Sequence, residues 1–350
     1  MVSVGVVGAS GYVGGEILRL LLQHGGVDVT LATSRTMKGE YVFKAHPNLK
    51  GFTELKFTDD DPVTAASKVD LLFLSVPHGS SVKVTPEIVE MGTRLIDMTG
   101  DFRLKDPSLY PIWYGFEHPA PDLLPRFVYG LPETHREEIR NARFVANPGC
   151  IASSTIYSLL PFARSGMIND VTVVDAKTGS SASGNAANRA SVYSERYNSI
   201  RPYRAAGHRH TAEIEQELSQ HAGRKVKVAL SAHAVNMVRG IQTTSSVFTD
   251  REVAEVDVWK IMRQTYRGEP FVRFIRDRDG VYRLPDPKIT VGSNFVDIGF
   301  EIDRHTGRVV VISTIDNLIK GAAGNSVHSM NLMLGFPETQ GLSTIPLHPA

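Results

Sequence analysis

A run of β-branched residues, Val2 to Val7, ends in Gly8-Ala9-Ser10-Gly11-Tyr12-Val13-Gly14, and a stretch of helical period, Gly14 to His24, follows at once. Few backbones satisfy that order. Gly8 permits a tight turn, Gly11 lets the backbone approach a pyrophosphate, and Gly14 allows the helix to pack closely on the strand. The N–H groups at the helix start then face a negative charge. The spacing is GxxGxxG rather than GxGxxG, so one glycine is displaced, but strand before and helix after supply the context that a dinucleotide turn requires. Gly8, Ser10, Gly11, Tyr12, Val13 and Gly14 are the candidate contacts.

The pattern continues as an α/β chain. Val27 to Thr33, Leu71 to Val76 and Leu95 to Met98 read as strands, with a helix at Val82 to Met91, which predicts a Rossmann-type parallel sheet. Residues 101–146 are rich in proline and aromatics and read as an ordered excursion before the strand Phe144 to Ala146. From Val171 the strands are longer, with few helices between them: Val171 to Ala176, Val226 to Val235, Ile241 to Phe248, Phe271 to Ile275, Phe295 to Glu301 and Val309 to Ile315. They predict a second, α+β domain with a mostly antiparallel sheet. Asn317 to Gly335 reads as one helix. A length of 350 residues suits roughly two domains, placed here at 1–149 with 317–350, and at 150–316.

Composition excludes several classes of function. Thirty-eight basic against 37 acidic side chains leave a formal charge of +1, so no global field draws the molecule to nucleic acid. No apolar run approaches the length of a membrane span. The first residues form no signal peptide, which points to the cytoplasm. One cysteine can make neither an internal disulfide nor a CxxC metal site.

About twenty residues past Gly14, where an NAD enzyme places an acid on the ribose, the chain reads Thr33-Ser34-Arg35. A hydroxyl and a guanidinium suit a 2′-phosphate, so Ser34 and Arg35 favour NADP(H). Pro77-His78-Gly79 follows a strand at the sheet edge where ligands bind, which makes His78 a further candidate. Asn147-Pro148-Gly149-Cys150 precedes the helical run Ile151 to Phe162, and a thiol at a helix start is in a nucleophile's position. His208, Arg209, His210 and Glu213 fall within six positions, with Thr211 as the expected N-cap. A metal lacks a third ligand at suitable spacing, so general-acid work by a histidine is the better reading. The loop from Arg189 to His210 carries Arg189, Arg196, Arg201, Arg204 and Arg209 against Glu195 alone, a local positive patch for a phosphate or an acidic partner.

Six stretches together carry a resemblance: Gly8 to Gly14, Asp101-Phe102-Arg103-Leu104, Tyr129-Gly130-Leu131-Pro132-Glu133, Asn147 to Cys150, His208 to Ile214, and Asp316 to Gly324. The sequence resembles the N-acetyl-γ-glutamyl-phosphate reductase family, within the wider aspartate-semialdehyde dehydrogenase group. Ser181-Ala182-Ser183-Gly184, and Ser194 to Arg201, are most similar to the branch whose substrate rides on a small acidic amino-group carrier protein, LysW. The resemblance implies a catalytic and oligomerisation role for the second domain and a homo-oligomer, dimer or tetramer. It also implies NADPH-dependent reduction of a carrier-borne aminoadipyl phosphate, in some members also glutamyl phosphate, through a Cys150 thioester. The alternative is a reductase of the free acetylated substrate. By the same resemblance His210 or His208 is the acid, Arg103, Glu213, Arg196 and Arg201 serve the substrate, and Ser181 and Asn317 meet the nicotinamide.

Overall fold

The computed structural model describes residues 1–249 and 252–349. The chain divides into two compact units, Met1–Pro148 with Ala322–Thr344, and Gly149–Gly321 with the tail from Ile345.

In the first unit seven strands, β1 (Val2–Val7), β2 (Val27–Thr33), β3 (Phe57–Thr58), β4 (Leu71–Leu74), β5 (Arg94–Asp97), β6 (Phe127–Tyr129) and β7 (Phe144–Ala146), form one parallel sheet in the order β3-β2-β1-β4-β5-β7-β6. β4, Leu-Leu-Phe-Leu, is buried at every residue, as a strand covered on both faces must be. The order reverses at β1, between β2 and β4, and a crevice opens at such a switch point beyond the carboxyl ends of the strands. The helix Tyr12–Leu21 buries Ile17, Leu18, Leu20 and Leu21. Helix Gly324–Leu334 packs on it and on helix Pro132–Asn141.

The second unit holds a mixed sheet of β8 (Val171–Thr178), β9 (Arg201–Arg204), β10 (Lys227–Ala234), β11 (Ile241–Phe248), β12 (Val272–Phe274), β13 (Val296–Asp303) and β14 (Arg308–Ile315). Its order is β12-β13-β14-β11-β8-β10-β9, and four of its six pairings are antiparallel. β8 and β10 alternate exposed and buried residues along their first halves, so one face is covered. Helix Cys150–Arg164 lies on β11 and β14, with Ile151 through Ala163 all buried. Part of its seat is polar: Ser154 Oγ lies 3.1 Å from Thr243 Oγ1, and Ser158 Oγ 2.8 Å from Ser245 Oγ. Residues four apart share a helix face, so the two hydroxyl pairs fix both depth and register.

Several elements differ from the sequence reading. The excursion at 101–146 contains β6 and helix Pro132–Asn141, both too short or too polar to show a period. The stretch read as one helix from Asn317 begins with a turn and a π-helical segment, Ile319–Ala323, before helix Gly324–Leu334. The Asp316 carboxylate, which accepts the Leu318 and Ile319 N–H groups, sets that start. The arginine-bearing loop contains a short helix, Tyr193–Arg196, and β9, an edge strand, which is where Pro202 is tolerated. Among the described residues no helix is long and apolar enough to cross a membrane.

Candidate active site

The nucleotide turn is built by what its glycines leave out. Gly8 adopts φ +74°, and a Cβ there would lie 1.9 Å from the Ser75 carbonyl oxygen. A Cβ on Gly14 would lie 2.6 Å from Ala9 Cα, so this glycine brings the helix against the turn. Gly11 is the contrast: a Cβ would meet only the Gly8 oxygen, at 3.5 Å. Gly11 is also the N-cap of helix Tyr12–Leu21, whose first turn has no side-chain cap and no acid. Its first N–H groups suit a phosphate pair. Gly8 N–H donates to Thr33 Oγ1 at 3.4 Å, and Ser10 Oγ lies 2.9 Å from the buried Ser34 Oγ. Arg35 follows, exposed, past the end of β2, and Tyr12 and Val13 open the helix.

Past β4, His78 is exposed and its Nδ1 accepts the Gly100 N–H at 2.8 Å, so the neutral ring carries its proton on Nε2. Asp101 organises the same loop, accepting from the N–H groups of Gly79 at 2.8 Å, Ser81 at 3.1 Å and Val82 at 3.3 Å. Asp97 accepts from Ser81 Oγ at 2.7 Å. Burial pushes both carboxyls up, Asp97 to about 6, with the Asp101 charge adding to it. Arg103 is buried, and donates from Nε to the Asn147 carbonyl at 2.7 Å and from Nη2 to the Met98 carbonyl at 3.0 Å. Asn147 also accepts from Asn325 Nδ2 at 3.0 Å.

In the second unit Cys150 is half-buried and is the first residue of its helix, with Gly149 as N-cap. The Gly149 N–H donates to the fully buried Glu213 carboxylate at 2.9 Å. A Cβ on Gly149 would stand 2.4 Å from His210 Nε2, so the imidazole rests directly on the residue before the thiol. A Cβ on Gly321, in the π-helical segment, would lie 2.8 Å from Cys150 Cβ. Helix His210–Ala222 is capped by Arg209, not by Thr211. The reason lies in His208, whose Nδ1 accepts the His210 N–H at 3.1 Å and whose carbonyl accepts that of Thr211, so a hydroxyl cap has nothing left to satisfy. Burial, helped by the charges of Arg209 and Arg204, pushes His208 down to about 4. It is a neutral ring at pH 7.

Ser181 and Asn317 meet, with Asn317 Nδ2 donating to Ser181 Oγ at 2.9 Å and Asn317 Oδ1 accepting the Gly240 N–H at 2.8 Å. Arg196 is half-buried and donates to the Thr178 carbonyl at 3.2 Å. Arg201 donates to the Glu195 carbonyl at 2.6 Å, whereas Arg189, Arg204 and Arg209 are exposed. Among the described residues no three His, Cys, Asp or Glu come together as metal ligands. The sequence reading did not single out Asp97, or Asn325 and its bond to Asn147. Asp97 also accepts from the N–H and hydroxyl of nearby Thr99, at 2.8 and 2.9 Å, but its tie to Ser81 and the Asn325–Asn147 bond span longer intervals that no local spacing signals.

Two family models match: "Semialdehyde dehydrogenase, NAD binding domain" over residues 3–142, and "Semialdehyde dehydrogenase, dimerisation domain" over residues 150–317. A protein of Picrophilus torridus, provisionally named LysW-L-2-aminoadipate/LysW-L-glutamate phosphate reductase, is 52% identical over 97% of each chain. One of Pyrobaculum aerophilum with the same provisional name is 51% identical over 98% of this chain and 99% of its own. The crystal structure of aspartate semialdehyde dehydrogenase II from Vibrio cholerae, complexed with ASA, has a TM-score of 0.73 at 19% identity, covering 96% of this chain and 98% of that one. With both halves matched and full-length relatives at about half identity, the chain belongs to the semialdehyde dehydrogenase family.

Proposed function

We propose that the protein is an NADPH-dependent acyl-phosphate reductase whose substrate, an aminoadipyl phosphate or a glutamyl phosphate, is carried on the acidic LysW protein. The observation that carries the chemistry is Cys150 at a helix start, beside a glycine held by Glu213 and covered by His210. The relatives' names supply the substrate class.

In this reading the Cys150 thiolate attacks the acyl carbon, the bond to phosphate breaks, and a thioester remains on the sulfur. The helix start favours the negative charge of the thiolate. When bound, NADPH supplies the hydride that reduces the thioester. The thiohemiacetal oxyanion that this leaves takes a proton from His210, and as that proton returns to His210 the carbon–sulfur bond breaks, releasing the semialdehyde with the Cys150 thiolate restored. His210 is the group that holds or gives the proton at the substrate oxygen, because His208 is neutral and is occupied with orienting the His210 backbone. Glu213 keeps the Gly149 peptide in place. Gly8, Gly11 and Gly14 form the phosphate cradle of the cofactor, and Ser34 with Arg35 hold the 2′-phosphate. Arg204 and Arg201 face the acidic carrier. Residues matched as a dimerisation domain include Val171 and Val173, which are 51% and 47% exposed on β8, and we place a homo-oligomer contact on that face.

The test is NADPH oxidation followed by absorbance with carrier-bound aminoadipyl phosphate, carrier-bound glutamyl phosphate and free N-acetylglutamyl phosphate. Turnover of the carrier-bound substrates is expected. Turnover of the free acetylated substrate alone would overturn the carrier reading and leave the chemistry.

A further inference from the structure

Residues 8–15 contain four glycines, and the nucleotide fingerprint explains three of them. Gly15 is the fourth. A Cβ there would lie 2.4 Å from His46 Cε1 and 2.5 Å from its Nδ1, so the residue makes room for an imidazole that arrives from another segment. The same ring places Nε2 2.8 Å from the Ala9 carbonyl oxygen, inside the nucleotide turn. A carbonyl only accepts, so Nε2 carries the proton whether the ring is neutral or cationic.

His46 reaches the turn from a firm base. It ends the short helix Val42–Ala45, its own N–H donates to the Val42 carbonyl at 3.0 Å, and Val42 and Leu49 on either side are buried. Val42 N–H in turn donates to the Leu55 carbonyl at 2.9 Å, which ties the segment to the stretch leading into β3. Ala9 is held from the other side, where its N–H donates to the Thr33 carbonyl at 3.0 Å. The Ala9–Ser10 peptide is planar and trans, so fixing the Ala9 carbonyl also fixes the direction of the Ser10 N–H.

We propose that His46 is a positioning residue for the nucleotide turn: its Nε2–H holds the Ala9 carbonyl, and so presets the peptide plane that faces the cofactor pyrophosphate. The inference rests on the dinucleotide reading of the turn. Because the pyrophosphate is common to both nicotinamide nucleotides, His46 serves NADPH and NADH alike. Arg35, at the 2′-phosphate end, serves NADPH alone.

The experiment measures dissociation constants of NADPH and NADH by nucleotide fluorescence on the full chain, for wild type, H46A, H46Q and G15A, with thermal melting alongside. H46A is expected to weaken both nucleotides by a similar factor, roughly three- to tenfold. H46Q keeps an N–H donor and is expected to recover most of the loss. G15A, with His46 present but displaced, is expected to match H46A. Unchanged affinity in H46A, a loss confined to NADPH, a Gln variant as weak as the Ala variant, or wild-type binding by G15A would each overturn the proposal. Should H46A melt before it can be titrated, H46Q and G15A decide by the same criteria. Wild type binding neither nucleotide overturns the cofactor reading itself, whereas wild type and H46A binding equally well overturns the inference alone.

Discussion

Cys150 is the chain's one cysteine, so any thiol chemistry this protein performs passes through it. Cys150→Ala is expected to abolish turnover while leaving NADPH affinity intact, and Cys150→Ser to lower turnover by several orders of magnitude, because a hydroxyl is a far weaker nucleophile at neutral pH. Stopped-flow turnover and nucleotide titration of the two variants check this, and normal turnover in the Ala variant would falsify the thioester route. Arg35 is exposed at the end of β2, next to Ser34, whose hydroxyl is paired with Ser10. Arg35→Ala is expected to cost NADPH about 1.5 to 3 kcal/mol of charge-assisted hydrogen bonding and NADH almost nothing. A kinetic comparison of the two cofactors reads the difference directly, and equal effects would place Arg35 outside the pocket.

At the scale of elements, the arginine-bearing segment separates into two kinds of residue. Arg196 supports the fold through the Thr178 carbonyl, and burial together with the neighbouring Arg201 charge weakens its hold on its own proton. Arg204 lies exposed on β9, an edge strand, with Arg201 at the same strand's start. Substitution of Arg196 therefore mixes folding with recognition, whereas Arg204→Glu tests recognition. The expected result is a loss of turnover on carrier-bound substrate that shrinks as salt is raised, with a short free acyl phosphate left nearly unaffected. Equal losses on both substrates would assign the strand to the active-site phosphate or to folding.

For the whole molecule, two buried groups in different units titrate with opposite sign. Asp97 has a folded pKa of about 6, above the 3.8 of an ordinary aspartate, so the native state binds more protons between those values and its contribution to stability falls as pH rises through 6. His208 has a folded pKa of about 4, below the ordinary 6.5, so the unfolded state binds more protons in that window and stability rises with pH. Each is worth about 3 kcal/mol at most over its window. The two slopes oppose each other between about pH 4 and 6, so these two groups together contribute little net pH dependence there. Relative to wild type, Asp97→Asn should make stability rise more steeply with pH, and His208→Gln less steeply. Calorimetric melts of both variants across pH 4 to 7 measure the slopes, and parallel slopes would mean that other groups dominate. Glu338 adds a separate acid limit: hydrogen bonds from His328 and then Arg136 hold its carboxyl down at about 2, so the stabilisation it brings is complete above the ordinary 4.5 and fades as pH falls toward 2.

What the sequence alone determined is what short-range geometry dictates. The turn from Gly8 to Gly14 was legible because a tight bend, an open approach and a close packing contact each demand glycine at a set distance from a strand end. Cys150 stood out by its place between a strand and a helical run, and the two sheets stood out by whether their strands alternate with helices or follow one another. Tertiary structure alone decided the pairings made across long intervals. Glu213 meets the Gly149 N–H from 64 residues away, His46 meets Ala9 from 37, and Asn325 meets Asn147 from 178. No periodicity encodes such contacts. They arise where the packed chain buries a polar group and must give it a partner, which is also why His208 is a neutral ring that accepts the His210 N–H, and why Thr211 is not the N-cap.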